Sequence, residues 1–468
     1  MRDAPLQPHQ SEGIEWIHRV RRGLLLDEPG LGKSRTAIEA FDGGKVLVVA
    51  PAMVISGGTW TDELAAWAYH PEGFQVVPYS MLNARNGNTP NFGTAKHPRF
   101  KLRPEYEGHW DAVIVDEAHY TKGRKTSWTS AVAQVADHSD SVLEMTGTPM
   151  PNWAHELFTM LQVIRPEDAV RGGPLGSYWR WIGEWFKVSP SRHNPQARII
   201  GDLLACNALC DLRSPIDPCE HFQQFAEANL GDRALRRLRD DVLGDLPPLT
   251  EQQIEIPLDK IAARYYRELK KDYLTLLEGN EQEVVAWTPG ARNVMLDRIT
   301  TSPWLLGMDG EPRGGKFDRL AFDLENRSRP TLVLAHYRDT VEANARVAES
   351  VGASAAVVHG GISEKAKSKA IADFKAGRLD VLSGSLETLA EGLTLTVADM
   401  AIFVERSYKP SRNEQAMRRV HRMGQTRPVT ILDYMTPKTV DENKRELLGR
   451  KTDQQMRVMS AQQFSQLL

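Results

Sequence analysis

Short apolar runs alternate with longer segments of helical period along most of this chain, and no other feature restricts the fold as strongly. The runs are rich in Val, Ile and Leu and lie at residues 24–26, 46–50, 112–115, 142–145, 254–257, 331–335, 381–383, 401–404 and 429–432. Apolar runs that are bounded by turn residues and separated by helices are typical of buried parallel strands. We therefore predict the α/β class, with helices packed on parallel sheets.

The alternation is interrupted twice, and the interruptions predict the domains. Aromatic and charged helical segments dominate from about residue 165 to 248, which indicates a helical insertion carried by a first lobe at 1–258. Residues 252–257 are expected to add a late strand to the sheet of that lobe. A helical protrusion and linker at 259–315 and a second lobe at 316–468 complete the predicted order.

Composition excludes several classes of protein. The chain has 468 residues, of which 41% are hydrophobic and 25% charged, so it is globular and long enough for two or three domains. Its net charge of −3 means that any contact with nucleic acid depends on local basic surfaces. Neither a signal peptide nor an apolar run of about 18 residues is found, so we expect a cytoplasmic, DNA- or nucleoid-associated chain without a membrane segment.

A glycine-containing turn joins the first apolar run to a helix in the segment GLLLDEPGLGKSRTAIEA. Gly30 and Gly32 allow backbone N–H groups to approach a phosphate. Lys33 adds a positive charge, and the Ser34 hydroxyl can bind magnesium. The strict phosphate-loop pattern has glycine at the position of Asp27, and an ordinary strand–turn–helix connection is the alternative.

Two acidic residues, Asp116 and Glu117, end a later apolar run in the segment DAVIVDEAHYTK. An aspartate at a strand end can bind magnesium, and an adjacent glutamate can orient or deprotonate an attacking water. A strand end that simply meets solvent is the alternative.

A basic segment near the carboxyl end, NEQAMRRVHRMGQ, carries Gln415, Arg419 and Arg422 at spacings of four and three residues. On a helix these spacings share one face, from which guanidinium groups can neutralise a γ-phosphate presented by another domain. A solvated basic face is the alternative.

In sequence order, these segments and several others resemble the Swi/Snf-type branch of helicase superfamily 2 over nearly the whole chain. The segments are LQPHQSEGIEWI, DEPGLGKS, VLVVAPAMVISGGTWTDEL, DEAH, MTGTPMPNWAHELFTMLQVIRPE, LRRLRDDVLGDLPPLTEQQIEIPL, TLVLAHYRDTVEAN, VVHGGISEKAKSKAIADF and GQTRPVTILDYMTPKTVDE. The family has an acid at the position of Asp27, so that departure becomes a match, whereas Pro29 is unusual. The ending GLTLT is similar to compact annealing-helicase-like members, and the size to bacterial or phage members.

The resemblance implies two RecA-like lobes that use ATP with Mg²⁺, and it implies roles for individual residues. Nucleotide binding would fall to Gln10, which reads adenine, and to Gly30, Gly32, Lys33, Ser34 and Gln415. The catalytic residues would be Lys33, Asp116, Glu117, Arg419 and Arg422. Ser34 and Asp116 would be the magnesium ligands. Contact with the DNA phosphate backbone, or coupling of that contact to the nucleotide, would fall to Pro51, Ser80, Thr146, Thr148, Gly360, Gly392, Thr394 and Thr396. Residues 389–391 depart from a more glycine-rich family segment, which leaves the local loop geometry open.

The predicted function is therefore that of an ATP-dependent translocase that moves along duplex DNA and remodels or anneals it. A strand-separating DNA or RNA helicase is the alternative among enzymes, although no wedge is evident. A nucleotide-gated DNA-binding scaffold is the alternative from another class, and the acid Glu117 argues against it because a clamp needs no water-activating group. No targeting module flanks the lobes, so a protein partner, the helical insertion or DNA structure itself is expected to direct the motor.

Three further segments have both a structural and a functional interpretation. Aromatic residues at 178, 179, 181, 185 and 186 favour a packed core over nucleic-acid stacking, and the run KGRK at 122–125 fits a phosphate contact or a solvated loop equally. Cys206, Cys210, Cys219 and His221 can supply four zinc ligands. Their spacing is unusual, however, and the helical period of LLACNALC favours small buried thiols.

Overall fold

The computed structural model describes residues 4–467 except 57, 84–101, 151–152, 191–197, 205, 207–209, 211–218, 243–246, 273, 277–282, 286–287, 309, 328, 390–394 and 423. The chain divides into two compact units, one formed by Met1–Gly244 with Lys451–Leu468 and the other by Asp245–Arg450. Among the described residues, no helix combines the length and the apolar character that a membrane crossing requires.

A six-stranded parallel sheet forms the centre of the first unit, with strand order β3-β2-β4-β5-β1-β8. The strands of this unit are β1 (Arg22–Leu25), β2 (Val46–Ala50), β3 (Phe74–Pro78), β4 (Trp110–Asp116), β5 (Ser139–Met145), β6 (Phe186–Pro190), β7 (Arg198–Leu203) and β8 (Ala234–Leu235). Successive side chains of a strand point to opposite faces, so Leu24 and Val49 join the core on one face while Leu25 and Val48 join that on the other. Both faces are therefore covered, as the apolar runs predict.

Helices follow most of these strands. They are α1 (Pro8–Val20), α2 (Lys33–Phe41), α3 (Ala52–Ser56), α4 (Thr59–Trp67), α5 (Ser127–Asp137), α6 (Phe158–Ile164), α7 (Tyr178–Trp185), α8 (Glu220–Asn229) and α9 (Arg239–Val242). Short 3₁₀ turns lie at Pro71–Gly73, Tyr79–Met81, Pro104–Tyr106, Ala118–Thr121, Ala154–Leu157 and Gly231–Arg233.

The insertion that the sequence indicated as helical also contains a β-hairpin, because β6 and β7 pair antiparallel. Strand β7 ends at Leu203, and the Cys206 N–H closes a turn onto the Leu203 carbonyl at 3.1 Å; half of the segment LLACNALC lies outside the described residues. The expected aromatic core is present for Trp181 and Phe186, which are each 1% exposed. Trp179 departs from it, since it is 44% exposed.

The run at 122–125 is not a free loop of charges. The Arg124 guanidinium lies 3.5 Å from the ring centre of Tyr178 and 6.0 Å from that of Trp179. The Lys122 ammonium lies 2.9 Å from a carboxylate oxygen of Glu156. Both cations therefore have partners within the first unit.

A second six-stranded parallel sheet forms the centre of the second unit, with order β13-β14-β12-β15-β16-β9. The strands of this unit are β9 (Leu249–Glu255), β10 (Leu274–Leu276), β11 (Glu283–Val285), β12 (Thr331–Ala335), β13 (Ala355–Val358), β14 (Val381–Ser385), β15 (Met400–Phe403) and β16 (Val429–Met435). The strand expected at 252–257 in the first sheet forms here instead, where β9 pairs parallel with β16. Ile254 lies opposite Tyr434 and joins the second unit's core, which explains the assignment.

The helices of the second unit are α10 (Lys260–Asp272), α11 (Pro289–Thr301), α12 (Lys316–Glu325), α13 (Arg338–Ser350), α14 (Glu364–Lys375), α15 (Leu386–Leu389) and α16 (Pro410–Met417), with a 3₁₀ turn at Pro303–Leu306. The last helix, α17 (Val440–Leu467), begins in this unit, and its residues from Lys451 onward belong to the first. Buried ion pairs hold α17 to the second unit: the Lys316 ammonium lies 2.7 Å from Asp441 and the Lys444 ammonium 2.6 Å from Asp297.

Candidate nucleotide-binding site

The predicted site residues of the first unit lie along the carboxyl edge of its sheet. The loop with Lys33 follows β1, Asp116 ends β4 and Thr146 follows β5, and these three strands are neighbours. In open parallel sheets this edge is where ligands bind. Pro51 and Ser80 follow β2 and β3, farther along the same edge.

Two glycines with positive φ shape the loop between β1 and α2. Gly30 has φ 96° and Gly32 has φ 76°, values that side chains with a Cβ rarely adopt. Helix α2 begins at Lys33 directly after Gly32, which makes no side-chain cap bond, and a helix start of this kind is where anions bind. Half-buried Ser34 is the second residue of this helix. The local backbone therefore fits a phosphate.

The ammonium group of Lys33 lies over this loop. Its Nζ donates to the backbone carbonyls of Asp27 at 2.6 Å and Glu28 at 3.3 Å. Oxygen atoms thus already surround the ammonium at hydrogen-bonding distance. Phosphate oxygens can take the place of these carbonyls, which is the role that the sequence predicts for Lys33.

The start of α1 packs directly against the phosphate loop. A Cβ built on Gly32 would lie 2.4 Å from Nε2 of Gln10, so this side chain lies directly against the loop, and the positive φ of Gly32 disfavours other residues there. The Gln10 Oε1 accepts from the Gln7 N–H at 3.0 Å, and the His9 ring lies 2.9 Å from the Leu31 carbonyl. Gln10, predicted to read adenine, is therefore next to the loop predicted to hold phosphate.

An arginine that the sequence reasoning did not select holds the loop in place. Asp27 is only 1% exposed, and its carboxylate accepts from the side chain of Arg237 through Nε at 3.0 Å and Nη2 at 2.5 Å. The Arg237 backbone N–H adds a bond of 2.9 Å, and Nη1 donates to the His9 carbonyl. Arg237 therefore ties Asp27 to the start of α1. The acid at position 27 could have indicated such a residue, because a buried carboxylate needs a cationic partner.

Asp116 is held by two donors. Its Oδ2 accepts from the indole N–H of Trp60 at 2.9 Å, and its Oδ1 from the Glu117 N–H at 3.0 Å. Burial, followed by the charge of Glu117, raises the pKa of Asp116 to about 7, although the Trp60 bond and the charge of Lys33 act in the opposite direction. A carboxylate that is reluctant to ionise without a nearby cation fits a magnesium ligand. Trp60 was also missed, since nothing local in the sequence links α4 to β4.

Glu117 has a strained backbone, with φ 50° in the left-handed region. One carboxylate oxygen lies 3.2 Å from Nδ1 of His119 and accepts from the Thr146 hydroxyl at 3.3 Å. The same hydroxyl oxygen lies 3.0 Å from the His119 ring nitrogen and accepts from the Thr148 N–H at 3.1 Å. The predicted water-activating acid and the predicted coupling threonines therefore belong to one hydrogen-bonded network.

Pro29, the unusual residue of the loop, contacts the segment between those two threonines. A Cβ on Gly147 would lie 2.7 Å from Cγ and Cδ of Pro29. The phosphate loop and the segment after β5 are thus in direct van der Waals contact. A movement of the loop can therefore displace the segment after β5 directly, and the reverse.

In the second unit, the predicted basic face does not form as a continuous helix. Helix α16 ends at Met417, so Gln415 is helical while Arg419 and Arg422 lie in the turns that follow. The side-chain amide of Gln425 donates to the backbone carbonyls of Thr396, Ala398 and Val420 at 2.8 to 3.2 Å and so ties these turns to the chain before β15. Gln415 and Arg419 are 5% and 9% exposed, which argues against a freely solvated basic surface.

The residues predicted to contact DNA differ in their accessibility. Ser80 and Gly360 are exposed, and a Cβ at Gly360 would meet no atom within 4 Å, whereas Pro51 is buried. Buried His359 accepts from the Gly361 N–H at 3.0 Å, and burial lowers the pKa of His359. Thr396 is half-buried. Gly392 and Thr394 lie outside the described residues, together with 390 and 391 of the departing segment.

Comparison with known proteins gives matches along the chain. The SNF2-related domain model matches residues 9–299, and the model of the helicase conserved C-terminal domain matches residues 315–424. The chain is 25% identical over 501 residues to the SWI/SNF chromatin-remodeling complex subunit snf22 of Schizosaccharomyces pombe, covering 98% of this chain and 28% of that protein. It is 25% identical over 469 residues to the human DNA annealing helicase and endonuclease ZRANB3, covering 96% of this chain and 40% of that protein.

The chain thus spans less than half the length of these relatives. A solved structure of the Sulfolobus solfataricus SWI2/SNF2 ATPase core in complex with dsDNA is 20% identical, with a TM-score of 0.39, and covers 99% of this chain and 95% of that one.

Proposed function

Because this chain belongs to the SNF2-related domain family, matched over residues 9–299, we propose that it is an ATPase that couples ATP hydrolysis to movement along duplex DNA. The observation that carries the proposal is the arrangement at the carboxyl edge of the first sheet. There a glycine-shaped loop with Lys33, the acids Asp116 and Glu117, and Thr146 follow three neighbouring strands. The proposed motor is associated with DNA and depends on ATP and Mg²⁺.

Each group of the first unit has a proposed task. The loop N–H groups and Lys33 bind phosphate, and Gln10 contacts the adenine beside Gly32. Ser34 and Asp116 hold Mg²⁺, which when bound offsets the negative charge of the phosphates. The pKa of about 7 for Asp116 supports this assignment, since a cation would favour the ionised carboxylate.

Glu117 is the proposed base. Its carboxylate takes the proton from the attacking water, while the bonds from His119 and Thr146 fix the direction of its lone pairs. The proton gained by Glu117 changes its bond with Thr146, which also accepts from the Thr148 N–H. We propose that this network, with the Pro29–Gly147 contact, carries the state of the nucleotide to the DNA-binding residues.

The roles of Arg419 and Arg422 in hydrolysis and of Gln415 in nucleotide binding belong to the same proposal, supported by family membership. So does backbone contact with DNA through Ser80, Gly360 and Thr396. The names of the relatives, a chromatin-remodeling subunit and a DNA annealing helicase, support duplex DNA as the track and remodelling or annealing as the work. A separate protein partner is proposed to target the motor.

The choice of track is tested by ATPase rates of the purified chain with no nucleic acid, single-stranded DNA, duplex DNA and RNA at equal nucleotide concentrations. Duplex DNA is expected to give the largest stimulation. Stimulation by RNA or single strands that equals that of duplex DNA would favour the strand-separating helicase instead.

The chemistry is tested with two variants of the first unit. Glu117→Gln is expected to bind ATP like wild type and to lose turnover, because the amide cannot accept the water proton. Lys33→Ala is expected to weaken ATP binding as well. Turnover by Glu117→Gln at the wild-type rate would remove Glu117 as the base. Binding without DNA-stimulated turnover in the wild type would instead indicate a nucleotide-gated scaffold.

A further inference from the structure

Four potential metal ligands meet inside the insertion of the first unit. Cys206, Cys210 and Cys219 are 6%, 7% and 5% exposed, and His221 is half-buried. One ligand atom from each side chain lies within 4.8 Å of all the others. Cys206 and Cys210 follow β7, Cys219 directly precedes α8 and His221 lies in its first turn, so the fold brings the four together.

The distances within the cluster match a tetrahedral metal site. The sulfurs of Cys206 and Cys219 are 3.6 Å apart, and Nδ1 of His221 lies 3.5 Å from Cys210 and 3.6 Å from Cys219. Zinc bonds of about 2.3 Å to sulfur and about 2.0 Å to nitrogen place tetrahedral ligand atoms about 3.5 to 3.8 Å apart. A disulfide would need about 2.0 Å between sulfurs.

We propose that these four side chains bind one structural Zn²⁺. Three thiolates and an imidazole are a common structural zinc set, and four protein ligands leave no open position for a substrate. The soft sulfur donors favour zinc over magnesium or calcium. The site lies outside the nucleotide-binding residues, so its function is to stabilise the insertion.

The surrounding contacts show what the metal would hold together. The Cys206 carbonyl accepts from the Lys187 ammonium, which belongs to β6. The Cys210 carbonyl accepts from the Arg457 guanidinium of α17 at 2.7 Å. Cys219 is the residue directly before α8. One ion would therefore fix the β6–β7 hairpin, the start of α8 and the last part of α17 in one subdomain.

The place of His221 in the cluster supports the zinc interpretation of the sequence over that of buried thiols. Small thiols buried for packing would not need a histidine nitrogen among them, whereas Nδ1 of His221 lies 3.5 Å from the sulfur of Cys210 and 3.6 Å from that of Cys219. A second group, His109, Asp111 and Asp140, also brings potential ligands together, but all three are exposed. That exposed group serves as the control for adventitious metal.

The test is the metal content of the full-length chain, purified under reducing conditions without chelator or added metal. Wild type is expected to contain one zinc per chain by elemental mass spectrometry. Cys219→Ser should lose it, His221→Cys should keep it because a thiolate replaces the imidazole, and His109→Ala should keep it. Replacement by Co²⁺ should give the absorption bands of tetrahedral thiolate coordination.

Wild-type protein without stoichiometric zinc would overturn the proposal, as would iron in its place or a Cys206–Cys219 disulfide in the intact mass. Zinc that disappears in His109→Ala would mark it as adventitious. Because the content and cobalt spectrum of wild type decide the matter alone, a Cys219→Ser variant that fails to fold leaves the test intact. ATP hydrolysis is not the readout, so an inactive ATPase would not bear on the result.

Discussion

Replacing Arg237 with alanine should destabilise the first unit by about 3 kcal/mol. Removal of one partner from a buried ion pair generally costs about 3–5 kcal/mol, because the remaining charge stays desolvated. Asp27, at 1% exposure, would be that charge. We expect the lower end of the range because the backbone N–H of residue 237, 2.9 Å from Oδ1, survives the substitution.

The Arg237→Ala substitution should also loosen the proposed phosphate loop, which Arg237 contacts through Asp27. Asp27 supplies the carbonyl that accepts from Lys33 at 2.6 Å, and Arg237 also donates to the His9 carbonyl beside Gln10. Loss of the guanidinium should therefore increase hydrogen exchange in α2 and raise KM for ATP. A loss of about 3 kcal/mol corresponds to a factor of about 150 in the opening equilibrium.

Native-state hydrogen exchange of α2 amides is the assay, because it reports the first unit separately from the second. Glu12→Ala is the matched control: its carboxylate is 4.0 Å from the same guanidinium, with the side chain 72% exposed, and should contribute less than about 1 kcal/mol. A double-mutant cycle with Asp27→Ala should show coupling of about 1–3 kcal/mol. If Arg237→Ala exchanges like Glu12→Ala, the pair does not hold the loop.

Three further perturbations have defined outcomes. Burial raises the pKa of Asp116 to about 7, so the folded protein holds a proton on this carboxyl that the unfolded chain releases near about pH 4. The stability that this proton contributes is lost as pH rises toward 7, so Asp116→Asn should become progressively more stable than wild type from about pH 5 to 7 in magnesium-free buffer. A stability difference that does not change with pH would contradict the raised pKa. Trp60→Phe removes a hydrogen-bond donor to the Asp116 carboxylate and should raise the magnesium concentration for half-maximal ATPase activity about 10-fold. Trp67→Phe on the same helix is the control and should leave that concentration unchanged; equal effects would argue against a role for the Trp60–Asp116 hydrogen bond. Lys316→Met leaves Asp441 buried without its cation and should lower the free energy of unfolding of the second unit by about 3–5 kcal/mol in urea. The exposed control Lys365→Met should lower it by less than about 0.5 kcal/mol, and a similar loss in both variants would refute the importance of the Lys316–Asp441 pair.

The parallel sheets could be predicted from sequence because their central strands are continuous apolar runs. Each of the nine runs identified in the sequence overlaps a strand, including β2 at Val46–Ala50 and β12 at Thr331–Ala335. The strands that were missed lack that signal: β3 contains exposed Gln75, and β13 begins with two alanines. The sheet to which β9 belongs could not be read from its own residues, since most of them are exposed and only the pairing with β16 decides it.

In the candidate site, too, residues within a local sequence pattern could be predicted, whereas residues whose partners are distant in sequence could not. The loop around Lys33 and the acids after β4 have local patterns, and the structure places both at one edge of the sheet. Arg237 and Trp60 have no local pattern, because their partners Asp27 and Asp116 are 210 and 56 residues away. The spacing of the cysteines left two interpretations open for a related reason: nothing local shows that the ligand atoms of Cys206, Cys210, Cys219 and His221 lie within 4.8 Å of one another.

Pro29 gives the phosphate loop a property that its glycines do not. Its ring fixes φ near about −65° and rests on Gly147, so one of the loop's torsions has no freedom to lose when a ligand arrives. Restricting a flexible segment in its bound shape improves affinity by reducing the ordering entropy, typically by about 0.4–1 kcal/mol for a proline at a compatible position. The same residue has no N–H, so the loop proposed to bind phosphate is preorganised but offers one backbone donor fewer than a loop without proline.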